Sequence, residues 1–148
     1  MFGRPRGSGT TGPPSLADVR KMLDELKLKY QVFEDKNAIL VPFEGNNANY
    51  EVFILVDQQR AIVYLAVGAY FSVPASHPRF NDIMRRLMEL NWELSIAKVE
   101  WDSNDGEVRL SQAITTENGL GTQALGVSIN YLVQSADKHY NALRQLIG

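Results

Sequence analysis

Residues 90–108, LNWELSIAKVEWDSNDGEV, constrain the fold more than any other stretch of this chain. They read as the end of a helix that runs into a β-hairpin with its turn at Asp105-Gly106. Asp-Gly between runs of alternating apolar residues is the strongest short-range hairpin signal, because both residues tolerate the positive φ such turns require. The stretch therefore sets an antiparallel strand pair beside a helix in the C-terminal half.

The rest of the chain adds strands before that helix and a long helix after the hairpin. Ser15 is a good N-cap, with Asp18 as the acidic member of a capping box. Leu16, Val19, Leu23 and Leu26 follow at helical spacing, which predicts a helix over 16–28. Residues 30–35 alternate, Lys36-Asn37 reads as a turn, and 38–43 is a strand. Pro42 cannot donate to a ladder, so this strand is expected at an edge or to end there. Residues 44–49, EGNNAN, form a loop. YEVFILVD over 50–57 is an interior strand whose faces the pattern leaves unassigned. After a turn at Gln58-Gln59, residues 61–67 return, with a bulge at Gly68 and an extension over 69–73.

Phe80, Ile83, Met84, Leu87, Leu90 and Asn91 share one face of a helix over 78–92. Residues 96–102 and 107–116 are the hairpin. A last helix starts near Thr122, read as its N-cap, and carries Leu125, Ile129, Leu132, Ala136, Tyr140, Leu143 and Ile147 at amphipathic spacing. The order is α-β-β-β-α-β-β-α, with room for one further strand before the middle helix. This is an α+β class: an antiparallel sheet with helices before, within and after it.

The chain has 148 residues, the size of one domain with its own core. Residues 1–14 are rich in Gly, Pro, Ser and Thr and read as a flexible tail, with Arg4 and Arg6 as solubilising charges. Residues 15–148 are the domain. Fifteen basic and seventeen acidic side chains nearly cancel, which argues against a nucleic-acid or membrane-surface partner. There are no cysteines, so disulfides, zinc knuckles and Cys nucleophiles are excluded. No run reaches the roughly 18 apolar residues of a membrane span, and no apolar signal core opens the sequence. The expected location is cytoplasmic.

Leu90-Asn91, Ala97-Lys98-Val99-Glu100, Asp105-Gly106-Glu107-Val108-Arg109 and Ala136-Asp137 in the closing helix resemble the YbjN-like domain family. The resemblance runs over 15–147. It implies the fold of class I type III secretion chaperones, no enzyme activity and no cofactor. Those relatives bind short extended segments of client proteins and often dimerise, while YbjN-like members are described mainly as regulators. The chain also resembles small cyanobacterial assembly factors of this fold, including one that serves carboxysome shell assembly.

A search for chemistry leaves little. His77 and His139 have no His or Cys at ligand spacing, so a metal site is not expected. From Asp102, Gly106 and Ala113 fall at the wrong positions for a calcium loop. The acidic pairs Asp24-Glu25, Glu34-Asp35 and Asp102/Asp105 have no basic partner and read as solvated charge. Gly119-Leu120-Gly121 precedes a helix but lacks the Lys-Ser/Thr of a phosphate cradle. Tyr50, Phe53, Tyr64, Tyr70, Phe71 and Trp101 lie on strands without interleaved Lys or Arg, and read as core.

The surplus is apolar. Met84, Met88 and Trp92 recur every four residues on the middle helix, and Ala124, Val127 and Tyr131 form a second stripe on the last. Such residues suit an adaptable binding surface, or a helix buried on two sides. Met84, Met88, Trp92, Val127 and Tyr131 are thus the candidate partner-binding residues. The expected function is a chaperone or assembly factor that holds an extended client segment in an apolar groove or on a sheet edge near 38–43, with a homodimer through the middle helix or sheet as a further expectation. The alternative is a regulatory domain that senses a small molecule in a pocket between sheet and helices.

Overall fold

The computed structural model describes residues 8–148. Its elements are α1 (Leu16–Glu25), β1 (Gln31–Phe33), β2 (Ala38–Glu44), β3 (Asn49–Asp57), β4 (Ile62–Ser72), α2 (Phe80–Glu93), β5 (Lys98–Trp101), β6 (Glu107–Thr115) and α3 (Thr122–Ile147). Six strands form one antiparallel sheet in the order β1-β2-β3-β4-β6-β5. The α+β class and the placing of its helices are as expected. The additional strand before α2 is the three-residue β1.

Strand alternation sorts the sheet into two faces. Ile39, Ile54 and Leu65 lie side by side in register, as do Val41, Val52 and Val67, and all are buried. α3 lies across this row and buries Leu125, Ile129, Leu132, Ala136 and Leu143. α1 adds Val19, Met22 and Leu23, and α2 adds Ile83, Leu87 and Leu90. Each such side chain contributes about 1.5–3 kcal/mol by leaving water, before ordering entropy is counted. The continuous apolar run of β3 is thereby resolved. Its even-numbered residues face the helices, while Phe53 and Leu55 point the other way with Leu40 and Tyr64 and stay partly exposed.

Several expectations shift for local reasons. The capping box at Ser15 and Asp18 forms as expected. α1 nevertheless ends at Glu25 rather than 28, because Lys27 turns left-handed with φ 58° and Leu28 N–H bonds back to the Leu23 carbonyl. The bulge in β4 falls between Val67 and Phe71, with Ala69 rather than Gly68 at positive φ. The β5–β6 loop is wider than a two-residue Asp-Gly turn. Asp102 N–H reaches the Glu107 carbonyl, and Gly106, with φ 80°, donates to the Asp102 carbonyl. Thr122 is not the N-cap of α3. Gly121 is, and the Thr122 hydroxyl donates instead to Glu25 Oε2 at 2.9 Å.

Within 8–14, residues Ser8 and Thr10 bond to the segment that opens α3. Thr10 N–H donates to the Leu120 carbonyl, Thr122 N–H to the Ser8 carbonyl, and Pro14 is buried. Arg4 and Arg6 lie outside the described residues.

Both ends of the sheet are partly covered. At β2, the edge expected to be free over 38–43 is paired with β1 across Ala38–Leu40. Pro42 fits because odd-numbered residues of β2 bond β3. That parity follows from Gly45 N–H on the Ala48 carbonyl and Val56 N–H on the Asn37 carbonyl, and it leaves Pro42 nothing to donate on the β3 side. At β5, the backbone N–H and carbonyl of the buried Val99 point away from β6, and the side-chain amide of Asn91 takes the place of a further strand. Asn91 Oδ1 accepts from Val99 N–H at 2.6 Å and its Nδ2 donates to the Val99 carbonyl at 3.3 Å. Asn91 is polar on an otherwise apolar helix face for this reason.

Asn91→Ala leaves both Val99 groups without a partner and is expected to lower stability by about 1–3 kcal/mol, read by urea unfolding. Leu132→Ala, fully buried under α3, is expected to cost about 2–5 kcal/mol in the same assay.

Candidate protein-binding surfaces

The five sequence-predicted partner-binding residues take different places. Met84 is half-buried against the core. Met88 and Trp92 stand one turn apart on the outer side of α2 and are 70% and 93% exposed. Arg86 flanks them, bound to Glu93 at 2.9 Å, so the apolar pair sits beside a fixed ion pair. On α3, Val127 is 59% exposed and lines a groove of about 320 Å³ with Leu26, Leu28, Phe43 and Ile129. Gly126 lets Leu26 pack closely on α3, since a Cβ there would stand 2.9 Å from Leu26 Cδ2. Tyr131 is an anchor: its hydroxyl accepts from Ser95 N–H at 2.8 Å and fastens the segment after α2 to α3.

A larger feature escaped the sequence reading. The carboxylate of Asp137 on α3 accepts from Asn46 N–H at 3.0 Å, Asn47 N–H at 2.9 Å and the Tyr50 hydroxyl at 2.8 Å. Asn47 Nδ2 donates back to the Asp137 carbonyl, and Asn141 Nδ2 donates to Asn47 Oδ1. The EGNNAN loop is thus held by α3. Gly45 is required here, because a Cβ would meet Asp137 Oδ1 at 2.5 Å. The Asn47 amide, above all, holds the Asp137 carboxyl below its usual range, and burial pushes the Tyr50 phenol up. Next to the loop lies a cleft of about 570 Å³ walled by Phe43, Tyr50, Tyr70 and Tyr140. The signal available in sequence was an Asn-rich loop and a lone Asp on the apolar helix meant to cover it.

The remaining polar residues have structural work. His77 Nε2 donates to the Ile147 carbonyl at 2.7 Å while Nδ1 accepts from Arg79 N–H, so both ring nitrogens are used. His139, expected on a solvated face, is half-buried, and burial pushes its pKa down. Asp102 and Asp105 accept backbone N–H groups within their own loop. Glu100 binds the Tyr64 hydroxyl and Arg109, whose guanidinium lies 5.6 Å from the Tyr64 ring centre. Burial, then Glu100, pushes the Tyr64 phenol up to about 12. Among the described residues no group of three His, Cys, Asp or Glu is placed to hold a metal ion, and no helix is long and apolar enough to cross a membrane.

A single antiparallel sheet with helices before, within and after it is a fold similar to that of type III secretion chaperones. The chain belongs to the YbjN family, whose model, described as "Putative bacterial sensory transduction regulator", matches residues 15–145. The fold is similar to YbjN from E. coli, at 15% identity and a TM-score of 0.67, with 88% of this chain and 92% of that chain covered. It is also similar to a chain of the ExsC-ExsE complex (14% identity, 86% and 95% covered, TM-score 0.58) and to one of the HopA1-SchA chaperone-effector complex (15%, 78% and 84%, 0.54). At these identities the likeness is one of fold. No curated protein sequence matches the chain.

Because Asp137 is held below the usual carboxylate range, its contribution is full above the unfolded value of about 4 and fades as pH falls through the lower folded value. Asp137→Ala is therefore expected to melt several degrees below wild type at pH 7. The gap should close toward pH 2, read by thermal melts across that range.

Proposed function

We propose that this chain is a protein-binding module without catalytic chemistry, a chaperone or assembly factor that holds a segment of a client protein. The observation that carries the reading is the exposed pair Met88 and Trp92 on α2. A Trp and a Met on a rigid helix, beside ordered charge, have the composition of a binding hot spot. The Val127 groove on α3 offers a second apolar seat. Two structures of similar fold were solved as complexes, one of them a chaperone with its effector.

Strand addition on β2 is not the mode we favour, because β1 occupies that edge and Asn91 caps the other. Side-chain anchoring of a short extended segment fits better. The same α2 face suits a homodimer, in which a second copy covers Trp92. A cytoplasmic setting matches both readings. A cyanobacterial carboxysome client is the narrowest form of the proposal and rests on sequence resemblance alone.

The small-molecule sensor has less support. The space between sheet and helices is filled by Ile39, Ile54, Leu65, Leu125 and Leu132, none with measurable exposure.

The test is affinity capture of the tagged chain from its native lysate, with Met88→Glu/Trp92→Glu as the comparison. Loss of a buried Trp anchor removes about 2 kcal/mol or more of binding energy, so one dominant protein should be captured by wild type and lost by the double variant. A folded wild type that captures nothing contradicts the proposal.

A further inference from the structure

We propose that the Val127 groove on α3 is the seat of the chain's own residues 1–7, MFGRPRG, with the Phe2 ring filling it. No client is needed for this contact. The segment starts from a fixed point. Thr10 N–H donates to the Leu120 carbonyl and Thr122 N–H to the Ser8 carbonyl, each at 2.9 Å, and Gly9 bridges Gly121 in antiparallel register. The Thr10 hydroxyl also accepts from Leu120 N–H at 3.1 Å. The approach is so close that only glycine fits. A Cβ on Gly9 would stand 2.8 Å from Gly121 Cα, and one on Gly119 would stand 2.8 Å from the Thr10 carbonyl carbon. The side chains of Ser8 and Thr122 hold the Glu25 carboxyl below its usual range, which ties the same point to the end of α1.

The antiparallel bridge also sets a direction. As the chain runs back from Thr10 to Ser8, its partner runs forward from Leu120 to Thr122. What precedes Ser8 therefore leaves toward the first turn of α3. Gln123, next after Thr122, lines the groove, and so does Leu26, next after Glu25. Ser8 thus stands beside the near end of both walls. Gln123, Gly126, Val127 and Asn130 share the helix face that forms the α3 wall.

Reach and chemistry both fit. Phe2 lies six residues before Ser8, and an extended chain covers at most about 3.3–3.6 Å per residue, so its reach is about 20 Å. The wall from Gln123 to Asn130 is only about 10 Å long at the helical rise of roughly 1.5 Å per residue. At about 320 Å³ the groove is at the small end of ligand-sized sites, roughly 300–1,000 Å³, and suits one large side chain. Val127, Leu26, Leu28 and Phe43 make it apolar. Met1 and Phe2 are the large apolar side chains of 1–14, the rest being Gly, Pro, Ser, Thr and Arg. A short tether holds Phe2 at an effective concentration on the order of millimolar, so a weak seat is filled without a second molecule. A client segment that enters this groove competes with Phe2.

The test is methyl NMR of the full chain, wild type against Phe2→Ser. Wild type should show nuclear Overhauser contacts between the Phe2 ring and the Val127 methyls. Its Val127 resonances should differ from those of Phe2→Ser by the same amount at every protein concentration. A chain without residues 1–7 keeps the Thr10 latch and should match Phe2→Ser at Val127. Free MFGRPRG peptide added to that chain should restore the wild-type position only at roughly millimolar concentration. Identical Val127 resonances in wild type and Phe2→Ser, with no contact to the ring, overturn the inference and leave client binding standing. A difference that fades on dilution gives the groove to the segment of a second copy and overturns the intramolecular seat. A Val127 signal that changes only when a co-purified protein is removed gives the groove to a client, and overturns it as well.

Discussion

One carboxylate decides where the long helix sits. The apolar stripe of α3 supplies most of the energy for covering the sheet, but an apolar stripe alone tolerates sliding, because hydrophobic burial has no direction. Asp137 supplies the direction. It receives two backbone amides and a phenol from the β2–β3 loop and β3, so α3 can dock in one register only. The Tyr70 hydroxyl on the Ala136 carbonyl repeats the constraint one residue away. The aromatic cleft and the exposed faces of α2 and α3 take their positions from that docking.

The same economy governs the edges. A six-stranded open sheet has two rows of unpaired backbone, and each row is a hazard as well as a binding site. Here a three-residue strand shields one side, and a proline sits where that shield ends. On the other side the amide of Asn91 imitates a strand at Val99. The large apolar side chains left exposed on the helices are Met88, Trp92 and Val127. His77 and the loop carboxylates of Asp102 and Asp105 are bound to backbone groups.

Much of the architecture was legible in the sequence, because alternation and helical spacing report burial directly. The hairpin after α2, the long α3 and the strand over 50–57 all follow from it, and the Ala136-Asp137 and Leu90-Asn91 pairs carried the family. What the pattern could not give were interactions between residues far apart in the chain. Asp137 and Asn47 are ninety positions apart. The docking of residues 8–14 onto the start of α3 is made by backbone groups, which composition does not encode. α1 stops early because a lysine adopts a conformation that glycine usually takes. Of the five candidate binding residues, spacing marked the exposed Met88, Trp92 and Val127 correctly as off the core face. It could not tell that Met84 turns inward or that Tyr131 fastens a loop.

The most direct measurement is native mass spectrometry of the tagged chain purified gently from its own lysate. A protein-binding module should appear in part as a non-covalent complex with another protein chain, at fixed stoichiometry. A population that carries only the mass of a small molecule, with no second protein, would contradict the account and make the chain a sensor.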